Sequence, residues 1–429
     1  MERKGHGWLK MGNTMITRRS LLRAAGSSAA VVAASHELSQ IIVSQADAQA
    51  AGLNLSPQLP AGTRQEAVLD ALPGKKPLIK LAYRPPNYET PIELLRAAIT
   101  PNDAFFVRYH LSDIPQVDAQ TWRLSIAGEG ARGETTLTFD ELRQLPAVEV
   151  AAVCQCSGNR RGLFDPPVPG VEWGYGAMGC ARWKGARLKD VLDRAGLKTG
   201  ALEIVVSGTD KGALDATPQF VKSVPLWKAL EDTTLVAYEM NGEPLPHWNG
   251  FPARVIVPGW TATYWMKHVS RINVVTKPFE GFWMKSAYRI PLGKFPVVAR
   301  FASQETEVNT PITEMVVNSL MTSPADGTTV KAGDKVTVRG IAWDAGYGIH
   351  AVEVSTNGGN NWMAAALGED LGRFAFRSFS YDLATPTKGN YRIMARATNK
   401  IGQSQVSALI ANPAGYHHNV VQTLNLLAA

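Results

Sequence analysis

Charge is scarce in this 429-residue chain: Asp, Glu, Lys and Arg together make up 19% of it, against 45% apolar residues. That balance excludes a disordered chain or a coiled coil and, at this length, fits two or three packed domains. Cysteine is scarcer still. Cys154, Cys156 and Cys180 are too few for a disulfide framework, and the odd number leaves at least one thiol without an internal partner. The chain lacks a C-x-x-C-H haem-attachment motif, paired Cys/His spacing of the zinc-site kind and a G-x-G-x-x-G after a strand. It also has no apolar run near the ~20 residues a bilayer requires. The net charge of +7 is mild, and residues 1–50 carry +3 of it, leaving +4 for the rest. A nucleic-acid partner is therefore not expected.

What is present begins with Thr17-Arg18-Arg19-Ser20-Leu21-Leu22, a short apolar stretch from Ala24 to Ala34, and small-residue cleavage signals at Ala46-Asp47-Ala48 and Ala48-Gln49-Ala50. This pattern is that of a twin-arginine secretory signal over residues 1–50, so a periplasmic protein is expected. That route carries folded proteins, often ones loaded with a cofactor beforehand.

From Ala51 to about Pro86 the Pro- and Gly-rich sequence reads as an extended arm. Beyond about Leu95, alternations such as Leu124 to Ala127 and Leu202 to Val206 mix with helix-like stretches at Phe139 to Leu145 and Leu188 to Ala195. The fold class expected is α+β, without a doubly wound parallel sheet. After about Val308 the alternating segments Val336 to Trp343, Ala351 to Thr356, Phe374 to Asp382 and Tyr391 to Thr398 are joined by turn clusters, as in an immunoglobulin-like β-sandwich. The expected layout is a signal over 1–50, a catalytic domain with its N-terminal arm over 51–307, and a sandwich over 308–429.

Three clusters carry chemistry. In Cys154-Gln155-Cys156-Ser157-Gly158-Asn159-Arg160-Arg161 a buried strand breaks into a turn followed by two arginines. Cys154 and Cys156 would share a face, with the second where the backbone turns outward. A thiolate beside guanidiniums suits a nucleophile or a soft-metal ligand, although two buried structural thiols fit the same residues. In Phe105-Phe106-Val107-Arg108-Tyr109-His110, Arg and His two apart on an apolar strand face one way, fitting an anion site or a plain surface. The segment from Ala237 to Lys267, with Arg254 and Lys267, presents donors for a phosphate or simply a solvated basic strand.

Together, Phe-Val-Arg-x-His, Cys-x-Gly-Asn-Arg-Arg, Tyr-Glu-Met-Asn-Gly-Glu-Pro-Leu and Gly-Phe-Pro-x-Arg-Val resemble the sulfite oxidase family of molybdenum enzymes in order and approximate spacing. The resemblance covers nearly the whole mature chain and is closest to bacterial periplasmic haem-free sulfite dehydrogenases. It implies a molybdopterin-binding domain followed by a dimerisation sandwich, with a Mo-molybdopterin cofactor. By the same resemblance, Cys156 is the molybdenum ligand, Arg108 and Arg161 surround the substrate anion, Trp173 walls the pocket, and Tyr288 is an active-site tyrosine. Phe106, Val107, Arg108, Tyr109, His110, Asp210, Asn249, Arg254, Trp265, Met266 and Lys267 would hold the pterin and its phosphate.

The chain departs from the family pattern at two places. Asn249 stands where vertebrate members have a His, with His247 as a substitute, and Ala414 stands where some members have a further pocket arginine, with His417 or His418 to supply charge. The activity implied is oxidation of sulfite to sulfate in the periplasm by a homodimer, with electrons passing to a separate acceptor, a c-type cytochrome. The competing expectations are a periplasmic molybdenum reductase of sulfoxides or N-oxides, disfavoured by the C-terminal sandwich, and a non-enzymatic secreted sandwich protein, disfavoured by the cofactor motifs.

Overall fold

A computed structural model describes residues 41–43, 67–292, 308–385 and 387–429. The expected export signal, apart from the backbone of 41–43, and the arm up to residue 66 lie outside the described residues. No helix among the described residues is long and apolar enough to cross a membrane.

Apolar alternation over the first half produces three sheets. The first is antiparallel and runs Ile41–Val43, Ala67–Asp70, Leu78–Ala82, Asn87–Glu89, Val107–Arg108. The segment from 67 to 86, expected as an extended arm, therefore contributes two paired strands, because buried Leu69, Leu78 and Ile79 give it a face to cover. The second sheet orders Val221–Pro225, Glu203–Gly208, Val269–Val275, Arg123–Ala127 and Thr135–Thr138, with one parallel pair between Val269–Val275 and Arg123–Ala127.

The third sheet holds Ala147–Gln155 against Met178–Arg187, followed by Leu235–Met240, which pairs with both Glu243–Pro244 and Arg254–Ile256. The expected helices form but are short. Phe139–Gln144 is started by a capping box in which Thr138 and Glu141 satisfy each other's backbone, and Leu188–Asp193 is also six residues long. The α+β expectation thus resolves into a mostly β architecture.

The sandwich stacks Asn318–Ser323, Lys335–Trp343, Arg377–Ala384 and Ala366–Leu367 on a sheet of Thr328–Val330, Gln422–Ala428, Gly389–Asn399, Ile349–Ser355 and Met363–Ala364. Val338, Val352, Phe379, Ile393 and Leu424 fill the space between the two layers.

Strand Ala147–Gln155 positions everything that follows. Successive side chains point to opposite faces. Ala152 and Cys154 enter the main core, whereas Ala151 and Val153 enter a second cluster with Tyr175 and Met178 and with Leu320, Ile341, Trp343 and Phe376 of the sandwich. One strand is therefore shared by the cores of the two halves.

Candidate active site

The strand's last residue is Gln155, so Cys156 opens the turn beyond it. Its amide donates to Ala177 O at 2.9 Å, and its carbonyl accepts from Asn159 N at 3.0 Å. Cys154 and Cys156 line the same cleft.

The cleft also brings together Phe106, Arg108 and His110 from one side, Asp210 from the loop after Glu203–Gly208, Asn249, Arg254, Trp265, Met266 and Lys267 from the third cluster, and Tyr288. Strand alternation at 106–110 sorts the rest. Val107 and Tyr109 point away into a small separate core with Leu78 and Tyr88, so neither side chain reaches the cleft.

At the thiol end, Arg108 lines the cleft with Cys156 and interacts with it electrostatically. It donates to Asn87 Oδ1 at 3.3 Å, to Tyr288 Oη at 3.4 Å, and to the Tyr109 carbonyl. Burial lowers the Arg108 pKa, but Tyr288 and Cys156 outweigh it, and the net shift is upward.

Tyr288 has φ +62°, a left-handed backbone uncommon for a bulky residue. It is held there by Arg108, by a hydrogen bond with His110 Nε2, and by Tyr416, whose ring stacks on it at 5.7 Å and 9°. His110 stacks on Phe220 at 3.6 Å. Burial, followed by the charges of Arg108, Lys267 and Lys222, keeps its pKa well below the usual value, so it is neutral at pH 7.

At the other end, Arg254 donates to Cys154 Sγ at 3.8 Å, to Trp265 O at 3.2 Å and to Asn249 O at 3.0 Å. Lys267 Nζ donates to Arg108 O at 2.5 Å and sits 3.9 Å from the Tyr109 ring centroid. Burial pushes its ammonium down to about 7, with Arg254 adding to the fall and Asp210 opposing it. Burial likewise raises the Asp210 carboxyl, against the pull of Lys267. Asn249, at the position of the family's His, accepts from Lys75 Nζ at 2.6 Å and donates to Phe106 O at 3.4 Å. His247 does not line the cleft and packs on Trp248 and His268.

Two expected pocket residues, Arg161 and Trp173, do not line the cleft. Trp173 is fully buried in the main core. Arg161 donates to Ala414 O at 2.8 Å and Val171 O at 3.2 Å, with its guanidinium 5.2 Å from the Tyr416 ring centroid. It occupies a slot with glycine walls: a Cβ on Gly158, Gly170 or Gly415 would come within 2.6, 2.8 or 2.7 Å of its side chain. His418 is buried and His417 partly so, and desolvation lowers their pKa values to about 3 and about 4, which argues against the expectation that either supplies charge at pH 7. Sequence reasoning missed Tyr416 and Lys75, although the segment around Ala414 had drawn attention.

Residues 110–283 match the oxidoreductase molybdopterin binding domain, and residues 309–425 match the Mo-co oxidoreductase dimerisation domain. The chain is 37% identical over 304 residues to the mitochondrial sulfite oxidase of Rattus norvegicus, covering 69% of this chain and 54% of that protein. It thus spans about half the length of that relative. It is 33% identical over 327 residues to the sulfite oxidase of Arabidopsis thaliana, covering 73% of this chain and 81% of that protein. Among solved structures it is similar to the sulfane dehydrogenase SoxCD from Paracoccus pantotrophus, with a TM-score of 0.67, 26% identity, and coverage of 79% of this chain and 84% of that one.

The cleft fits the cofactor that the matched domain binds. Arg108, Arg254 and Lys267 face a single acidic group, Asp210, so an anionic group is favoured there. Arg108 Nε, Arg254 Nε and Thr263 Oγ1 are shielded from solvent and have no hydrogen-bond partner among the described residues, leaving donors for a bound group. The Cys156 sulfur, a soft donor, lines the same cleft. By sequence, fold and cleft, this chain belongs to the sulfite oxidase family of molybdenum oxidoreductases and uses a Mo-molybdopterin cofactor.

Proposed function

We propose that the protein oxidises sulfite to sulfate and passes the electrons to a separate acceptor, a c-type cytochrome. The observation that carries this reading is the placement of the Cys156 sulfur and the Arg108 guanidinium on one wall of a cationic cleft. When bound, molybdenum supplies a two-electron couple and oxygen-atom transfer, and the overall change is sulfite plus water to sulfate, two electrons and two protons. Cys156 is assigned as the protein's metal ligand, and Arg254, Lys267 and Asp210 as the residues around the pterin and its phosphate.

Arg108 binds the oxygens of the substrate anion by charge-assisted hydrogen bonds and orients its sulfur toward the metal. Tyr288, hydrogen-bonded with neutral His110, holds a hydroxyl at the same end of the cleft that can orient the substrate or product anion. Arg161 acts at one remove, by supporting the Tyr416 ring that stacks on Tyr288. The periplasm is the proposed compartment, on the strength of the twin-arginine sequence, and a homodimer is the proposed assembly, on the strength of the matched dimerisation domain.

The test is metal analysis of the purified protein together with sulfite-dependent reduction of cytochrome c, with methionine sulfoxide reduction assayed alongside. About one molybdenum per chain and sulfite oxidation support the reading. Molybdenum-free folded protein, or sulfoxide reduction without sulfite oxidation, refutes it.

A further inference from the structure

The turn that carries Cys156 is gripped on both sides by the sandwich. Three residues before it, Val153 N donates to Phe374 O at 2.9 Å. One residue before it, Gln155 Oε1 accepts from Trp343 Nε1 at 2.5 Å. Four residues after it, Arg160 sends Nη2 to Ser319 O at 2.7 Å and Nη1 to Val420 O at 3.5 Å. Phe374, Trp343, Ser319 and Val420 come from four separate segments of the C-terminal half.

Arg160 is unusual in its own right. It is fully buried, yet among the described residues it has no carboxylate partner; its guanidinium meets carbonyls and the rings of Tyr175, at 4.9 Å, and Trp343, at 5.8 Å. Burying a charge is costly, and apolar replacement of buried ionic groups is often neutral or favourable for stability. Its φ of +68° lies in the left-handed region, and its amide is fixed to Gly174 O at 2.8 Å.

We propose that Arg160 is a positioning residue that fixes the Cys156 turn to the β-sandwich, so that the sandwich sets where the Cys156 sulfur meets the metal. The path is short. Arg160 follows Asn159, whose amide closes the turn on the Cys156 carbonyl and whose Oδ1 accepts from Ala177 N at 3.1 Å. Release of the guanidinium from Ser319 frees one end of that turn while Val153 and Gln155 hold the other. The sulfur then moves relative to Arg108 and Tyr288, which belong to other elements. The inference rests on the assignment of Cys156 as the metal ligand.

The test uses purified holoenzyme carrying Arg160→Met or Arg160→Lys, with Cys156→Ser as a control. The readouts are molybdenum content, the electron paramagnetic resonance spectrum of the singly reduced metal, kcat and KM. In Arg160→Met, metal content is expected to stay near that of the unaltered protein while the spectrum changes and kcat falls roughly 10- to 100-fold, with KM little altered. Arg160→Lys, which keeps a cationic donor, is expected to recover part of the lost turnover.

An unaltered spectrum with kcat within about twofold in Arg160→Met overturns the proposal. Should that variant fail to fold, Arg160→Gln, which keeps a polar side chain but loses the charged fork to Ser319, carries the same test with the same readouts, and an unaltered spectrum there overturns it. A Cys156→Ser protein with an unaltered spectrum refutes instead the ligand assignment beneath the proposal.

Discussion

Arg108→Gln removes the one arginine at the thiol end of the cleft while retaining a polar side chain. In the structure that guanidinium lies beside the Cys156 sulfur, with its buried Nε lacking a partner among the described residues. A hydrogen bond to a charged group contributes about 1.5–3 kcal/mol. At about 1.4 kcal/mol per factor of ten, its loss is expected to raise KM for sulfite about 10- to 150-fold.

Arg161→Gln makes the informative contrast. Its donors go to backbone carbonyls, its guanidinium sits against the Tyr416 ring, and its charge also acts on Tyr288 from a distance. A cation–π contact contributes about 0.5–1 kcal/mol, so its loss is expected to change KM only about two- to fivefold. The assay is steady-state sulfite oxidation at two ionic strengths. Salt should raise KM in the unaltered protein and do so less in Arg108→Gln, because screening acts on the attraction that this variant has lost. Equal KM increases in the two variants, or a larger one in Arg161→Gln, would refute the placement of Arg108 alone against the substrate.

Cys156→Ser is expected to abolish nearly all turnover, whereas Cys154→Ser, whose thiol is raised by burial and sits against Arg254, should retain most of it; equal losses would undo the choice of ligand. The pH dependence of stability should also separate apoprotein from holoprotein. Lys75 and Lys267 are lowered by burial to about 7, well below the ordinary lysine value of 10.5. Between those values the unfolded chain binds more protons than the folded apoprotein, so apoprotein stability should rise with pH from about 7 towards 10. A bound phosphate beside Lys267 restores its charge and removes that part of the rise. Melting curves should therefore show the holo-minus-apo difference narrowing as pH rises, and a widening difference would contradict a phosphate at Lys267.

Local pattern was enough for some of this architecture and not for the rest. Alternation placed Arg108 and His110 on one face, and the break after Gln155 put Cys156 at the end of its strand. Both depend only on the period of an extended backbone. The same rule, applied to Val107 and Tyr109, would have turned them away from the cleft. The direction of Arg161 depends on a carbonyl at Ala414, 253 residues away, and on no local signal. Burial of His418, and partial burial of His417, is equally nonlocal. The strands of residues 67–82 were hidden by turn-forming residues between short apolar pairs, which find partners only once the sheet assembles.

The slot around Arg161 has a consequence for the order in which the protein is made. Two of its glycine walls, Gly158 and Gly170, are near neighbours in the chain, but the third, Gly415, comes after most strands of the sandwich. Translation proceeds from the N-terminus, so a nascent chain can have made every residue lining the cleft and still lack this wall, the Ala414 carbonyl and the Tyr416 ring. The enclosure around Arg161 is completed only after strand Gly389–Asn399 has been synthesised, and a chain terminated before Asn412 would leave Tyr288 without its stacking partner.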